Sequence, residues 1–151
     1  PRMSVLENLE MGAFQCTDRA NFQEDLDRVF DLFPRLAERK LQKAGSLSGG
    51  ERQMLTLAQS FLLRPRLLLI DELSLGLAPS VVQDLLAAVR AMNEAGTTIV
   101  VVEQSVNIAL TLAQRAYFLE KGEVRFSGPT ADLLARRDLL RSVFLEGSAT
   151  T

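Results

Sequence analysis

Two short stretches of the 151-residue chain carry residue types able to act on phosphate. The first is Leu67-Leu68-Leu69-Ile70-Asp71-Glu72. Its apolar run predicts a strand covered on both faces, and the strand ends in two adjacent carboxylates. Ligands of parallel sheets sit at the carboxyl ends of the strands. There, Asp71 would hold Mg2+ while Glu72 orients or deprotonates water. A plain solvated strand end also accounts for the pair. The second stretch is Leu47-Ser48-Gly49-Gly50-Glu51, directly ahead of a helical pattern. Two glycines let a backbone approach a ligand closely. Ser48 adds a hydroxyl, and a helix start adds unpaired amides and the positive end of its dipole. In physical terms this is an anion site; an ordinary Ser N-cap followed by flexible glycines is the plainer alternative.

Composition excludes several other chemistries. The chain is 47% hydrophobic and 24% charged, with a net charge of −2, the balance of a globular domain rather than a disordered one. It contains no His, which removes Ser-His triads, His-ligated zinc and His general bases. The single Cys, Cys16, cannot form an internal disulfide and has no metal-ligand spacing around it. A slightly acidic total gives no general attraction to nucleic acid. The apolar runs Leu67–Ile70 and Ile99–Val102 are far too short to span a bilayer, and no signal-peptide pattern opens the chain. The first residue is Pro1 rather than Met, so a natural start elsewhere is expected.

The elements that must position these residues are legible as patterns. Ser4 and Glu7 have capping-box spacing ahead of Leu6, Leu9 and Met11. Asp18 or Asn21 would cap a second helix with Phe22, Leu26, Val29, Phe30 and Phe33 on one face, a stripe read as core packing. Pro34 interrupts it. After a polar break at Lys43–Gly50, Glu51–Leu63 reads as a helix with Met54, Leu55, Ala58, Phe61 and Leu62 inward. Arg64 sits at its negative end, and Pro65 stops it.

Beyond Pro65 the pattern changes. A strand at Leu67–Ile70 is followed by a helix over Pro79–Glu94, opened by proline and closed by Gly96. Thr97–Val102, β-branched throughout, predicts a second strand. A helix over Ser105–Arg115 follows, then strands at Ala116–Leu119 and Glu123–Phe126 joined at Lys121-Gly122 as a hairpin, and helix from Pro129 onward. The alternation of strand and helix predicts an α/β fold with a parallel sheet. The division by element type falls near residue 64: 1–64 helical, 65–151 α/β.

Leu-Ser-Gly-Gly-Glu at 47–51, followed by four apolar residues and Asp71-Glu72, resembles the ATP-binding-cassette (ABC) ATPases. The first segment matches their signature motif, the second their Walker B motif, and Arg52–Ala58 their signature helix. Pro1–Leu9 resembles the stretch after the Q-loop, and Val102-Glu103-Gln104-Ser105 stands where the switch-His loop belongs. Ser74-Leu75-Gly76-Leu77-Ala78-Pro79, with Gln104 in place of the His, resembles the ATPase subunits of branched-chain amino-acid importers; importers of amides and urea share the pattern. The resemblance covers nearly the whole chain and implies a helical subdomain followed by part of a P-loop NTPase (RecA-like) parallel-sheet core.

The resemblance also implies residue roles. Asp71 would hold Mg2+, Glu72 would act as general base or position water, and Gln104 would take the place of the His at the γ-phosphate. Ser48, Gly49 and Gly50, with Glu51 completing the signature, would contact the γ-phosphate of ATP held by a second subunit. Gln donates a hydrogen bond as His does, but it does not titrate near pH 7. Three departures stand out. Leu73 replaces the family's usual Pro, and Leu77 its frequent Asp. No Gly is followed by Lys, so the Walker A loop that grips phosphates is absent from these residues.

The implied function is the C-terminal portion of the ATPase subunit of an importer, cytoplasmic and peripheral at the inner membrane through a permease. It would pair head to tail with a second ATPase subunit, using ATP and Mg2+ in the complete protein. Alone, this chain is expected to bind ATP weakly and not to hydrolyse it. A second reading is a naturally short module that offers its signature to an intact ATPase. A third is half of an SMC or DNA-repair ATPase, opposed by the acidic balance and the lack of heptads. The family's Walker A strand lies between the strand before Gln104 and the strand at Ala116–Leu119. Its loss would leave strand edges that close up, exchange with a second copy or aggregate.

Overall fold

The computed structural model describes residues 2–15 and 21–136. Pro1, Cys16, the cap proposed at Asp18 and the helical reading beyond residue 136 lie outside them. The chain packs as two compact units, one up to Val100 and one from Val101. This division by packing is distinct from the division by element type proposed near residue 64.

The first unit opens with helix α1, Val5–Gly12, under the expected capping box. The Ser4 amide donates to Glu7 Oε2 at 2.6 Å, and the Glu7 amide donates to Ser4 Oγ at 3.2 Å. The next unpaired amides of this helix start find acceptors in a returning segment: Val5 N donates to Gln42 O and Leu6 N to Lys40 O, both at 2.9 Å. Helix α2, Phe22–Leu32, buries Leu26 and Val29, with Phe33 buried just beyond it. Phe22 and Phe30 are half-buried, so the aromatic stripe is core packing as read. Asn21 takes the N-cap position without a side-chain cap hydrogen bond. Pro34 restarts the chain as α3, Pro34–Glu38.

Helix α4, Gly49–Leu62, begins two residues before the predicted Glu51. Its buried side chains are Met54, Leu55, Leu57, Ala58 and Leu62. Gln59 reaches back to α1, its Nε2 donating to Asn8 O at 2.8 Å. At the far end Arg64, in the left-handed region at φ 45°, pairs with buried Asp25 of α2 at 2.7 Å. Arg28 also faces that carboxylate at 3.9 Å, which answers the requirement that a buried charge be paired.

Strand β1, Leu67–Asp71, helix α5, Pro79–Glu94, and strand β2, Thr98–Val102, follow, with β1 and β2 neighbours in a two-stranded sheet. Helix α5 has Pro79 in its first turn and buries Val81, Val82, Leu85, Leu86, Ala88, Val89 and Met92. Gly96 at φ 99° turns the chain after it, a conformation that favours glycine.

The expectation that the first strand is covered on both faces is wrong for the described residues. Leu67 is 54% exposed and Leu69 69%, whereas Ile70 is 9% exposed. On β2, Val100 and Val102 are 48% and 59% exposed. Side chains alternate across a strand, so one apolar set packs inward while the other faces solvent. An apolar run specifies two apolar faces but not the layers that cover them.

The second unit holds α6, Val106–Leu112, a hairpin of β3, Arg115–Glu120, and β4, Glu123–Pro129, and α7, Thr130–Ala135. Helix α6 is shorter than the predicted Ser105–Arg115, because Ala113 is already extended. β3 pairs antiparallel with β4, from Arg115↔Pro129 to Glu120↔Glu123. Lys121 and Gly122 have φ of 49° and 82°, the pair of positive values that a tight two-residue hairpin turn needs. Among the described residues the third strand therefore joins its hairpin partner rather than the β1–β2 pair. The α/β class stands.

Candidate functional site

The chemistry predicted for Ser48–Glu51 begins with a helix cap. Ser48 is extended, at φ −62° and ψ 165°, and is the N-cap of α4. Its Oγ accepts the Glu51 amide at 3.3 Å, and Glu51 Oε2 accepts the Ser48 amide at 2.8 Å. The reciprocal box consumes two of the polar groups at this helix start. Gly49 and Gly50 form the first turn beyond it. Ser48 and Gly49 are exposed and Gly50 is buried. A Cβ on Gly50 would lie 2.8 Å from Val81 Cγ1, while one on Gly49 would meet nothing within 4 Å. One glycine thus permits contact between α4 and α5, and the other leaves the helix start open to solvent.

The Ser48–Glu51 spacing matches that of Ser4 and Glu7, so this cap was readable from sequence although only the first box was predicted. Long-range partners carried no such signal. Glu51 also receives Arg39 Nε at 3.1 Å on Oε1, and its side chain is 14% exposed. The Ser48 amide, burial aside, holds its carboxyl below the usual carboxylate range, with Ser48 Oγ and the charges of Arg39 and Arg35 adding to the effect.

Asp71 is the last residue of β1 and is exposed. Glu72 follows in the left-handed region at φ 52°, and Leu73 is buried at 1% exposure. Two tight turns lead on to α5, with Leu75 N donating to Glu72 O at 3.4 Å and Leu77 N to Ser74 O at 3.2 Å. The carboxylates therefore stand at a strand end on a turn anchored by Leu73. No group of three or more His, Cys, Asp or Glu able to hold a metal occurs among the described residues. Mg2+ is commonly bound by one or two carboxylates together with substrate phosphates and water, and Asp71 and Glu72 are the carboxylates that would be available to it at this strand end. Gln104 is exposed in the link between β2 and α6, within the second unit.

The family described as ABC transporter matches residues 1–74. The high-affinity branched-chain amino acid transport ATP-binding protein BraG of Pseudomonas aeruginosa is 44% identical over 146 residues, covering 97% of this chain. Residues 1–74 are ABC transporter family sequence. A second relative, the probable branched-chain amino acid transport ATP-binding protein LivF of Archaeoglobus fulgidus, is 35% identical over 87% of the chain. The chain spans 62% and 56% of the lengths of these two relatives. The solved structure of an ATP-binding subunit of an ABC transporter matches with a TM-score of 0.79 at 25% identity, over 95% of this chain and 62% of that one. A nucleotide-free ATP-binding cassette shares the fold at a TM-score of 0.72 and 20% identity, over 95% and 63%. Among the described residues no helix is long and apolar enough to cross a membrane.

The lowered carboxyl of Glu51 makes the α4 cap acid-sensitive. A depressed folded value stabilises the cap fully above the ordinary 4.5 and loses that stabilisation as pH falls through the lowered value. The amide proton of Ser48, followed by NMR, is expected to move with a single transition below pH 4.5. Glu51→Gln is expected to remove the transition, whereas Ser48→Ala, which keeps the backbone amide and loses only the hydroxyl, keeps it and lowers stability by about 1 kcal/mol. A Ser48 amide that does not respond to acid would refute the cap.

Proposed function

We propose that residues 47–105 are the signature, Walker B and switch-loop portion of an ATP-binding subunit that drives branched-chain amino-acid uptake. The observation that carries this reading is the 44% identity to BraG across 97% of the chain. In it, Ser48, Gly49 and Gly50 present the N-terminus of α4 to the γ-phosphate of ATP held by a second subunit. Glu51 completes the cap, Asp71 holds Mg2+ and Glu72 positions or deprotonates water. Gln104 donates a hydrogen bond where the family's His would. Phosphoryl transfer needs mostly positioning and charge stabilisation, and an open helix start supplies both without a titrating group. Residues 1–64 form the signature-bearing subdomain and 65–151 the core portion. The complete protein works in the cytoplasm with a membrane permease.

No Gly-Lys pair occurs in the sequence, so the amides and Lys that grip phosphates must come from elsewhere. The 151-residue chain alone is therefore expected to give no heat with Mg-ATP at micromolar concentrations in a calorimeter. Mixed with an intact, hydrolysis-blocked subunit such as BraG, it is expected to be retained only when Mg-ATP is present. Micromolar binding by the chain alone, or retention indifferent to ATP, would overturn the reading.

A further inference from the structure

We infer that Arg35 and Arg39 are positioning residues for the N-terminus of α4, a clamp on α3 that sets the anion-facing stretch Ser48–Gly50 from outside its own helix. The functional half of this inference rests on the reading above; the geometric half does not.

The two arginines lie at i and i+4, one within α3 and one at its C-cap. Such residues share a helix face. Arg39 Nε meets Glu51 Oε1 at 3.1 Å, while the other carboxylate oxygen of Glu51 accepts the Ser48 amide at 2.8 Å. Both oxygens are thereby engaged: one faces the cap, the other ties the cap to α3. Arg35 Nε lies 3.8 Å from Asp84 Oδ2 on α5. Helix α5 in turn carries Val81, against which Gly50 rests. The start of α4 is therefore held on two sides, by α3 through Glu51 and by α5 through Gly50, and Arg35 links α3 to α5.

The clamp also solves an electrostatic problem. Glu51 carries a negative charge within one turn of the stretch meant to receive phosphate. Uncompensated, it would repel an incoming anion and offset the helix dipole. Arg39 is placed to cancel that charge without covering Ser48 or Gly49, which stay exposed. The other charged groups at this corner are Glu38, whose Oε2 accepts from Arg39 Nη1 at 3.3 Å and so shares that guanidinium with Glu51, Arg35, already opposite Asp84, and Arg52 on α4 itself, whose Nη1 donates to Leu47 O. The Ser4–Glu7 box provides an internal comparison. It has the same reciprocal hydrogen bonds, yet no arginine ion pair to Glu7 occurs among the described residues, and Glu7 is exposed.

The test uses the full 151-residue chain. Carboxyl titration of Glu51 and Glu7, and hydrogen exchange of the Ser48 and Ser4 amides, are measured by NMR in the parent, Arg39→Ala, Arg39→Lys and Arg35→Ala. In Arg39→Ala, Glu51 is expected to titrate closer to an ordinary carboxylate, and the Ser48 amide to exchange about threefold faster. Arg39→Lys restores part of each change, Arg35→Ala gives a smaller change of the same sign, and Glu7 and Ser4 are unmoved in all variants. ATP-dependent retention of an intact subunit is expected to weaken about threefold in Arg39→Ala and to recover in Arg39→Lys. A Glu51 and Ser48 response no larger than that of Glu7 and Ser4 overturns the clamp. NMR changes without any retention by the parent chain would uphold the clamp and overturn the proposed function instead.

Discussion

Gly50→Ala is expected to destabilise the first compact unit by about 1–3 kcal/mol, although alanine is the better helix former. The added Cβ would sit 2.8 Å from Val81 Cγ1 and 3.1 Å from Cγ2. Val81 cannot swing away cheaply. It is buried in α5, and a valine in a helix has one strongly preferred rotamer. The helices must part, or Val81 must leave its rotamer. Against this stands a gain in helix propensity of about 1 kcal/mol at most, which the overlap outweighs. Gly49→Ala, one residue earlier, collects the propensity gain with nothing within 4 Å. It is expected to be neutral or slightly stabilising. Urea unfolding of both variants checks the pair, and Val81→Ala in the Gly50→Ala background should recover part of the loss. Equal midpoints for the two glycine variants would mean that α4 and α5 have room between them.

The second large effect is expected at the carboxylate turn. Leu73→Ala should cost about 2–5 kcal/mol, the range for removing a fully buried leucine. Leu73 is 1% exposed and directly follows Glu72, whose φ of 52° is a conformation that residues with a Cβ rarely adopt. Such a backbone costs about 1–3 kcal/mol and persists only when its surroundings impose it. Burial of Leu73 is the nearest such constraint. Leu73→Pro should be at least as harmful as Leu73→Ala. It loses the same packing, and a residue before proline is driven to extended backbone, away from the φ that Glu72 holds. The family's usual Pro is therefore expected to be incompatible with this particular turn. Thermal unfolding of both variants decides this, and a proline variant as stable as the parent would show that Glu72 is free to rearrange.

Much of the local structure was legible because its causes are local. The Ser4–Glu7 box, the Pro79 start and Gly96 end of α5, and the turn at Lys121-Gly122 all depend on residues within one turn of each other. The position of Ser48 ahead of a helix is legible for the same reason, whereas Gly49 and Gly50, poor helix formers, conceal the first turn of that helix. The contacts that fix the site were not legible. Nothing in the spacing of Arg39 and Glu51, or of Gly50 and Val81, reveals that they meet, because their neighbourhood depends on how helices pack and not on period.

The exposed faces of β1 and β2 make the same point from the other side. Leu67, Leu69, Val100 and Val102 are as apolar as any core residue, and sequence pattern alone marks them as inward. By itself the sequence determined the motifs, the order of strands and helices, the absence of a titrating imidazole and of a Gly-Lys loop, and hence the family resemblance. Tertiary structure decided which apolar face is covered, that the last strand pair forms its own sheet, and that an arginine outside the motif stands against the glutamate within it. The physical reason is that residue type and periodicity specify what a surface prefers, whereas only packing specifies what lies against it.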